Sequence, residues 1–456
     1  MLRSFRPAIC VTAISLALMN PLCTASAQAA PKTDEDAWEM LNQRIADYLT
    51  GQDKDFSKKY LVQVPSSPVY TAWDKPDSLF SLYEIGDGVP VWGPAWFPSN
   101  KSFAEGYEAF INAIDIPAAT PAQKALKDDF VNKQKAYSDE SERLRKAWVR
   151  YDTNQRKNLP KASWVNRVKW YSGKNARLIT DQADYATAFS NYQRSLDANS
   201  RVVGQRIKAF YDAQDTDILL PTSAQSANID PSDTTNWATE SVKPLTIDAN
   251  TYSALVSNGE TQYQNKTPQY DWTLDASSSA RHEETESWGA NASYGYFFSA
   301  NGGKDTHSID IKTDGSSADI KFYGMAMVPI HPTKWYSEQL LVQYACGPFK
   351  SDANLKPSTL WGENGSLSAI PVAVVLGYKP DMLIKLTSEQ YSFYESHVHA
   401  SGGFSYGPFH IGGNYSKTVQ NITDDKAAGT VHVVSITPTP IVLAVLYQKL
   451  PGKVCP

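Results

Sequence analysis

A change of composition near residue 220 constrains the fold of this chain more than any other feature of its sequence. Before it, charged and apolar residues recur at helical spacing. After it, glycine, serine and aromatic residues follow the pattern of strands and tight turns. All seven histidines lie beyond residue 281. The pattern predicts an α+β protein, an elongated N-terminal helical bundle followed by an antiparallel β-sandwich, with histidine chemistry confined to the second part.

The first 29 residues have the layout of a secretory signal peptide. Arg3 and Arg6 supply the positive charge, residues 8–18 are apolar, and residues 25–27 or 27–29 form an A-x-A cleavage site. No later run approaches the roughly 18 to 20 apolar residues of a membrane-spanning helix. We therefore expect a secreted or periplasmic protein without a permanent membrane anchor.

The remaining chain is longer than the roughly 250 to 300 residues at which a single hydrophobic core stops growing. Two domains are therefore expected. The composition places a helical domain at 31–215, a linker at 216–245 and a β-sandwich domain at 246–456.

Removal of the signal peptide leaves two cysteines, Cys346 and Cys455. In an oxidising compartment an even number of cysteines favours a disulfide, which would tie the C-terminal tail to the β part. Two separate thiols are the alternative, because the sequence does not fix the distance between the two residues.

Three segments of the front part have helical patterns. Residues 34–50 follow a capping signal and place apolar side chains three to four positions apart. Thr120 and Pro121 begin a second helix, predicted over 121–158, and a third is predicted over 176–214. Aromatic and leucine residues recur in both at heptad-compatible spacing. The two segments are therefore expected to pair as a long antiparallel hairpin.

The back part has the pattern of an antiparallel β-sandwich of about eight to ten strands. Residues 308–313 and 319–323 alternate on either side of Asp314-Gly315, which predicts a hairpin. Residues 369–378 and 431–446 are apolar enough to be buried strands. No amphipathic helices alternate regularly with these segments, so a parallel α/β fold is not expected.

Four residues of the back part form a candidate metal site. If residues 395–399 are a strand, Glu395, His397 and His399 share one face, and a turn at Gly402-Gly403 would place His410 opposite Glu395. Two or three imidazoles and a carboxylate suit zinc or a related divalent cation. The alternative is a solvated polar face of a half-exposed strand.

An aromatic loop offers a candidate ligand surface. Residues 86–98 combine three prolines and three glycines with Trp92, Trp96 and Phe97. Tryptophan joins apolar area to a polar edge, so these three side chains could form a platform for a carbohydrate or a lipid headgroup. A hydrophobic lid over the end of the bundle is the alternative.

The net charge of the chain and the absence of known catalytic motifs limit the classes of function to be considered. The formal net charge of −5 argues against a nucleic-acid partner, because phosphate binding needs a basic surface. The chain has no G-x-S-x-G, H-E-x-x-H, P-loop or Rossmann motif, so no catalytic residue is assigned. We expect a non-enzymatic protein that binds a carbohydrate, lipid headgroup or protein at a cell or polymer surface. A membrane-active, pore-forming toxin-like protein and a metal-dependent enzyme are the alternatives.

Overall fold

The computed structural model describes most of the chain between residues 32 and 450. The described residues are 32–51, 60–65, 71, 79–90, 95–96, 98–116, 118, 120–213, 215–221, 237–275, 297–300, 309–310, 314–351, 353, 355, 357–362, 365–398, 404–411 and 420–450. The signal peptide predicted at 1–29 lies outside these ranges.

Eleven α-helices occur among the described residues. They are α1 (Lys32–Thr50), α2 (Phe80–Asp87), α3 (Phe103–Ala113), α4 (Pro121–Asn158), α5 (Arg167–Tyr171), α6 (Ala176–Ser195), α7 (Ala198–Asp212), α8 (Ala249–Gln264), α9 (Glu338–Tyr344), α10 (Pro357–Leu360) and α11 (Ser388–Val398). A short 3₁₀-helix, Lys161–Ser163, follows α4.

Nineteen strands occur in the same ranges, and most of them lie beyond residue 236. They are β1 (Tyr60–Pro65), β2 (Gly88–Pro90), β3 (Ala95–Trp96), β4 (Pro98–Ser102), β5 (Thr216–Pro221), β6 (Trp237–Val242), β7 (Leu245–Ile247), β8 (Tyr270–Asp275), β9 (Phe298–Ala300), β10 (Ile309–Asp310), β11 (Ser317–Phe322), β12 (Gly324–Pro332), β13 (Ala369–Tyr378), β14 (Asp381–Lys385), β15 (Phe404–Tyr406), β16 (Phe409–Ile411), β17 (Gln420–Asp425), β18 (Thr430–Ser435) and β19 (Ile441–Lys449).

The longest helix, α4, has the bounds that its sequence predicts. The Thr120 hydroxyl accepts a hydrogen bond from the amide of Gln123 (3.1 Å), and Pro121 occupies the first helical position. The helix ends at Asn158 because Pro160 disfavours a helical conformation at the residue before it. At a rise of 1.5 Å per residue, its 38 residues span about 57 Å.

The third predicted helix is interrupted. Residues 176–214 form α6 and α7 instead of one helix, since Asp197 caps a new start by accepting the amides of Asn199 (2.9 Å) and Ser200 (3.1 Å). Asp197 prefers this capping role because its short carboxylate competes for backbone donors. The hairpin is therefore built from α4 and α6, and α7 packs on α6, where Lys208 lies over the rings of Tyr185 and Phe189.

Aromatic rings form the seam between α4 and α6. Phe130 stacks on Tyr192 with ring centroids 5.5 Å apart, and Tyr137 stacks on Tyr185 at 5.6 Å. In these contacts a later residue of α4 meets an earlier residue of α6, so the two helices are antiparallel, as predicted. The aromatic stripe is interhelical core.

Three larger sheets, mostly antiparallel, form the β part. Their strand orders are β3-β1-β19-β13-β12-β7, β17-β18-β14-β11-β8 and β10-β9-β15-β16. The predicted buried strands are present as β13, β18 and β19, with the last two separated around Pro438 and Pro440. The chain is of mixed α+β class, while the specific pairing of a bundle with a sandwich is not confirmed.

The hairpin predicted at Asp314-Gly315 is wrong. Gly315 does adopt the left-handed conformation of a turn (φ +79°), but β11 pairs with β8 and β14, whereas β10 pairs with β9. β11 lies between β14 and β8 in the five-stranded sheet, and Ala318, Ile320 and Phe322 on one of its faces are buried in the core, so its pairing follows the burial of that face.

The composition change near residue 220 separates a mainly helical part from a part with most of the strands. It does not separate two hydrophobic cores, because residues from both parts pack together. Strand β1, from the front part, pairs with β19 at the end of the chain. Trp38 of α1 is fully buried and packs edge-to-face on Phe297 with centroids 5.0 Å apart. Contacts between the front and back parts therefore cross the predicted linker at 216–245.

Candidate functional site

The residues predicted to bind a metal do not share a strand face. Ser388–Val398 is helix α11, on which Glu395 and His397 occupy positions about 200° apart. A capping box begins this helix: the amide of Gln390 donates to Thr387 Oγ1 (3.3 Å), and the amide of Thr387 donates to Gln390 Oε1 (2.9 Å). The strand prediction is therefore wrong, and the Thr-x-x-Gln signal could have corrected it.

His410 does not lie opposite Glu395 either. It belongs to β16, where its register partner is Ser405 of β15. The Glu395 carboxylate accepts a hydrogen bond from Lys426 Nζ (2.7 Å), and His399 lies outside the described residues. In the part of the chain that the structure describes, no three His, Cys, Asp or Glu residues form a group that could hold a metal ion. The strand arrangement assumed for these residues is therefore wrong, and metal binding by Glu395, His397, His399 and His410 stays a prediction.

The aromatic platform and the disulfide stay predictions. Trp92 and Phe97 lie outside the described residues, and Trp96 belongs to β3, which pairs with β1. Cys346 follows α9, while Cys455 lies outside the described residues. A thiol count under denaturing, non-reducing conditions tests the disulfide: we expect no free thiol in the exported protein, and two per chain would exclude the bridge.

An ion pair between a buried lysine and a partly exposed glutamate joins helix α8 to the turn after β13. Lys379 has a left-handed backbone (φ +46°), and its Nζ lies 2.8 Å from the Glu260 carboxylate and 3.8 Å from the ring centroid of Tyr263. Hydrogen bonds from Lys379, Gln264 and Tyr378 lower the pKa of Glu260 to about 2. Because this carboxylate is fully engaged, we interpret the pair as an anchor for the turn.

An imidazole and a carboxylate also meet on neighbouring strands. His432 Nε2 of β18 lies 2.6 Å from Asp381 Oδ1 of β14. Such a pair can orient a general base, but it is equally a common cross-strand contact, and it defines no reaction by itself. No sequence pattern indicates this contact, because it depends on the pairing of the two strands.

A long stretch without carboxylates is the feature that best defines a functional surface. Residues 153–180 contain no Asp or Glu in a chain of net charge −5. We call residues 153–180 the basic tip. Its seven basic residues are Arg156, Lys157, Lys161, Arg167, Lys169, Lys174 and Arg177. No motif reveals this segment, but a local count of charges does.

The basic tip forms the turn of the helical hairpin. It includes the last turn of α4, the 3₁₀-helix, α5 and the beginning of α6. The hairpin β5-β6 runs beside α4 and supplies partners for the tip from distant parts of the sequence. The segment is thus held by tertiary contacts on one side.

Asp217 of β5 is the first anchor of the tip. Its carboxylate accepts hydrogen bonds from Arg167 Nη1 (2.5 Å), Trp148 Nε1 (3.0 Å) and Ser241 Oγ (2.6 Å). Charge-assisted bonds of this kind are the stronger ones. They fix α5, which carries Arg167, against α4 and the β5-β6 hairpin.

Asp152 of α4 is the second anchor, and it is almost fully buried. Arg156 Nε donates to it (2.7 Å), as do Gln155 Nε2 (2.6 Å) and the Thr239 hydroxyl. Gln155 in turn bonds both backbone groups of Val165 (2.8 and 3.0 Å). The segment after α4 is therefore tied back onto the helix it leaves.

Three cations of the tip lie over aromatic rings. The distances to the ring centroids are 4.5 Å for Arg156 over Trp164, 4.9 Å for Arg167 over Tyr171, and 4.4 Å for Lys174 over Trp170. Cation–π contacts hold charged groups at an aromatic surface without neutralising them. Arg156 and Arg167 are also paired with Asp152 and Asp217, so the ring contact of Lys174 is the one that positions an exposed positive charge.

The outer surface of the tip combines exposed lysines with exposed apolar side chains. Lys157, Lys169 and Lys174 are exposed. Val168 is 80 % exposed and Leu159 is 46 % exposed. This arrangement can attract and bind a negatively charged surface that also offers apolar contact.

Comparison of the chain with protein-family models, with curated proteins and with solved structures finds no match. None of the helices within the described ranges is both long enough and apolar enough to cross a membrane.

Proposed function

We propose that this is a secreted, non-enzymatic binding protein and that the basic tip is its contact with an anionic cell or polymer surface. The acid-free stretch of residues 153–180, anchored at the end of the hairpin of an acidic protein, is the observation that carries the proposal. The antiparallel sheets serve as the scaffold, and α4 and α6 form the arm that presents the tip.

Charge segregation supports this function. Surface charges act over a Debye length of about 8 Å at physiological ionic strength. Within the tip, Lys157, Lys169 and Lys174 are exposed. The arginines of the tip are paired with the carboxylates of Asp152, Asp217, Asp181 and Glu140. The outer face therefore has a positive local potential although the chain as a whole is negative.

Rigidity also favours binding. A surface whose side chains are fixed before contact loses less conformational entropy on association. Hydrogen bonds to Asp152 and Asp217 position the tip independently of any partner. The same bonds argue against catalysis at this site, because a general acid or base needs a free titrating group.

Retention on a soluble polyanion matrix tests the proposal. We would compare the wild-type protein with Lys157→Glu/Lys169→Glu/Lys174→Glu on immobilised dextran sulfate, eluting with a salt gradient. The wild type is expected to elute at higher salt, because the variant replaces three attractive charges with repulsive ones.

The matched control reverses three exposed lysines of α4 that lie before the tip, Lys124, Lys135 and Lys146. It has the same net charge as the tip variant. The control is expected to elute close to the wild type. Equal elution of the two variants would mean that total charge, and not the tip, determines binding, and the proposal would fail.

A further inference from the structure

The tip presents an apolar side chain where a purely electrostatic surface needs none. Val168 is 80 % exposed, whereas the next most exposed large hydrophobic residue in the described ranges, Ile179, is 56 % exposed. Val168 sits between Arg167 and Lys169 on α5, and the same short helix buries Trp170 in the core behind it. One face of α5 is therefore anchored while the other offers a valine flanked by cations.

A second apolar group lies on the same segment. Leu159 ends α4 and is 46 % exposed, and its carbonyl accepts a hydrogen bond from Trp164 Nε1 (3.0 Å). The Trp164 ring is half-buried and carries the Arg156 guanidinium on its face. Leucine, tryptophan and basic side chains together are typical of protein segments that lie at the boundary between lipid headgroups and acyl chains.

We propose that the anionic partner of the basic tip is a phospholipid bilayer, into whose headgroup region Val168 and Leu159 insert while Lys157, Lys169 and Lys174 contact the phosphates. This inference rests on the proposed function and adds the identity of the surface. Binding is peripheral, since the side chains of the tip enter only the interfacial layer.

Charge and apolar area both contribute to this mode of binding. Each basic residue near an anionic bilayer strengthens partitioning about fivefold. Burial of a valine side chain adds on the order of tenfold. A soluble sulfated or phosphorylated polymer would gain only the first contribution, because it has no apolar interior to receive Val168. The exposed valine is thus the feature that favours lipid over polymer.

Co-sedimentation with vesicles tests the inference on the full exported chain. We would use vesicles of phosphatidylcholine with one quarter phosphatidylglycerol, and vesicles of phosphatidylcholine alone. The variant Leu159→Ser/Val168→Ser is expected to lose at least about tenfold in partitioning to the anionic vesicles while its retention on dextran sulfate is unchanged. Val168→Phe is expected to bind more tightly than wild type, which gives a readout that misfolding cannot imitate.

The control replaces two exposed valines far from the tip in sequence, Val131→Ser and Val202→Ser. It should partition like the wild type. Unchanged partitioning of Leu159→Ser/Val168→Ser, or a wild type that binds dextran sulfate but not anionic vesicles, would overturn the lipid inference and leave the proposed function standing. Absence of binding to both probes would overturn both.

Discussion

Removal of the Asp217 carboxylate is the sharpest perturbation of the structure that positions the tip. Three donors converge on it, from Arg167, Trp148 and Ser241. Asp217→Ala removes the two carboxylate oxygens that accept these three hydrogen bonds but leaves the donors in place. The tip should then lose its attachment to β5 without any change to its own sequence.

The size of the effect follows from the burial of each donor. Trp148 is 4 % exposed, so its indole N–H would be left without an acceptor and away from water, which costs about 1 to 3 kcal/mol. The side chains of Arg167 and Asp217 are 30 % and 21 % exposed, so solvent screening limits the loss of that ion pair to about 1 kcal/mol. We expect Asp217→Ala to lower the free energy of unfolding by about 3 kcal/mol.

Urea unfolding followed by the fluorescence of the twelve tryptophans of the chain measures this change in the free energy of unfolding. Asp184→Ala is the matched control, because it removes an exposed ion pair with Lys133. The side chain of Lys133 is 41 % exposed and that of Asp184 is 47 % exposed, so the variant should lower the free energy of unfolding by less than about 1 kcal/mol. Asp217→Asn retains an acceptor for the indole and should fall between the two. Equal midpoints for Asp217→Ala and Asp184→Ala would refute the reasoning.

Two further predictions concern stability. Gly259→Ala should destabilise the protein by about 1 to 3 kcal/mol in urea unfolding, since the added methyl would lie 2.5 Å from the buried Tyr378 ring, whereas the neighbouring exposed Asn258→Ala should not destabilise it. Burial raises the pKa of Asp87 from 3.8 to about 6. The folded state therefore binds the proton of this carboxyl group more tightly than the unfolded state does. The resulting contribution to the free energy of unfolding is lost as the pH rises from about 4 through about 6. Asp87→Asn can still accept the Ala104 amide and should remove about 3 kcal/mol of that pH dependence; parallel pH profiles for variant and wild type would contradict it.

Helices and strands that depend only on residues close to them in the sequence could be predicted from that sequence. Helix α4 begins at the Thr120-Pro121 cap and ends before Pro160, and both signals act over a few positions. Strand β13 follows from a continuous apolar run. The segment 388–398 was missed because its aromatic residues fit either period: Tyr391 and Tyr394, three apart, are the buried pair, and that spacing belongs to a helix.

Strand pairing could not be predicted, because local pattern does not specify which strands meet. Asp314-Gly315 does form a turn, yet β11 finds its partners in β8 and β14, from segments before and after it. The same holds for β1, which crosses the predicted domain boundary to pair with β19. Burial of one strand face requires covering neighbours, and these come from wherever the whole chain supplies them.

The number of positive charges in the basic tip follows from its sequence alone, whereas the tertiary structure determines which of these charges are paired and which are exposed. Seven basic residues without a carboxylate among residues 153–180 are a property of the chain alone. Asp152 and Asp217 bind Arg156 and Arg167, whereas Lys157, Lys169 and Lys174 are left exposed. The pair of Arg167 with Asp217 joins residues 50 positions apart, so only folding brings them together. Composition fixes how many charges a segment carries, but their pairing and exposure depend on what the rest of the chain packs against it.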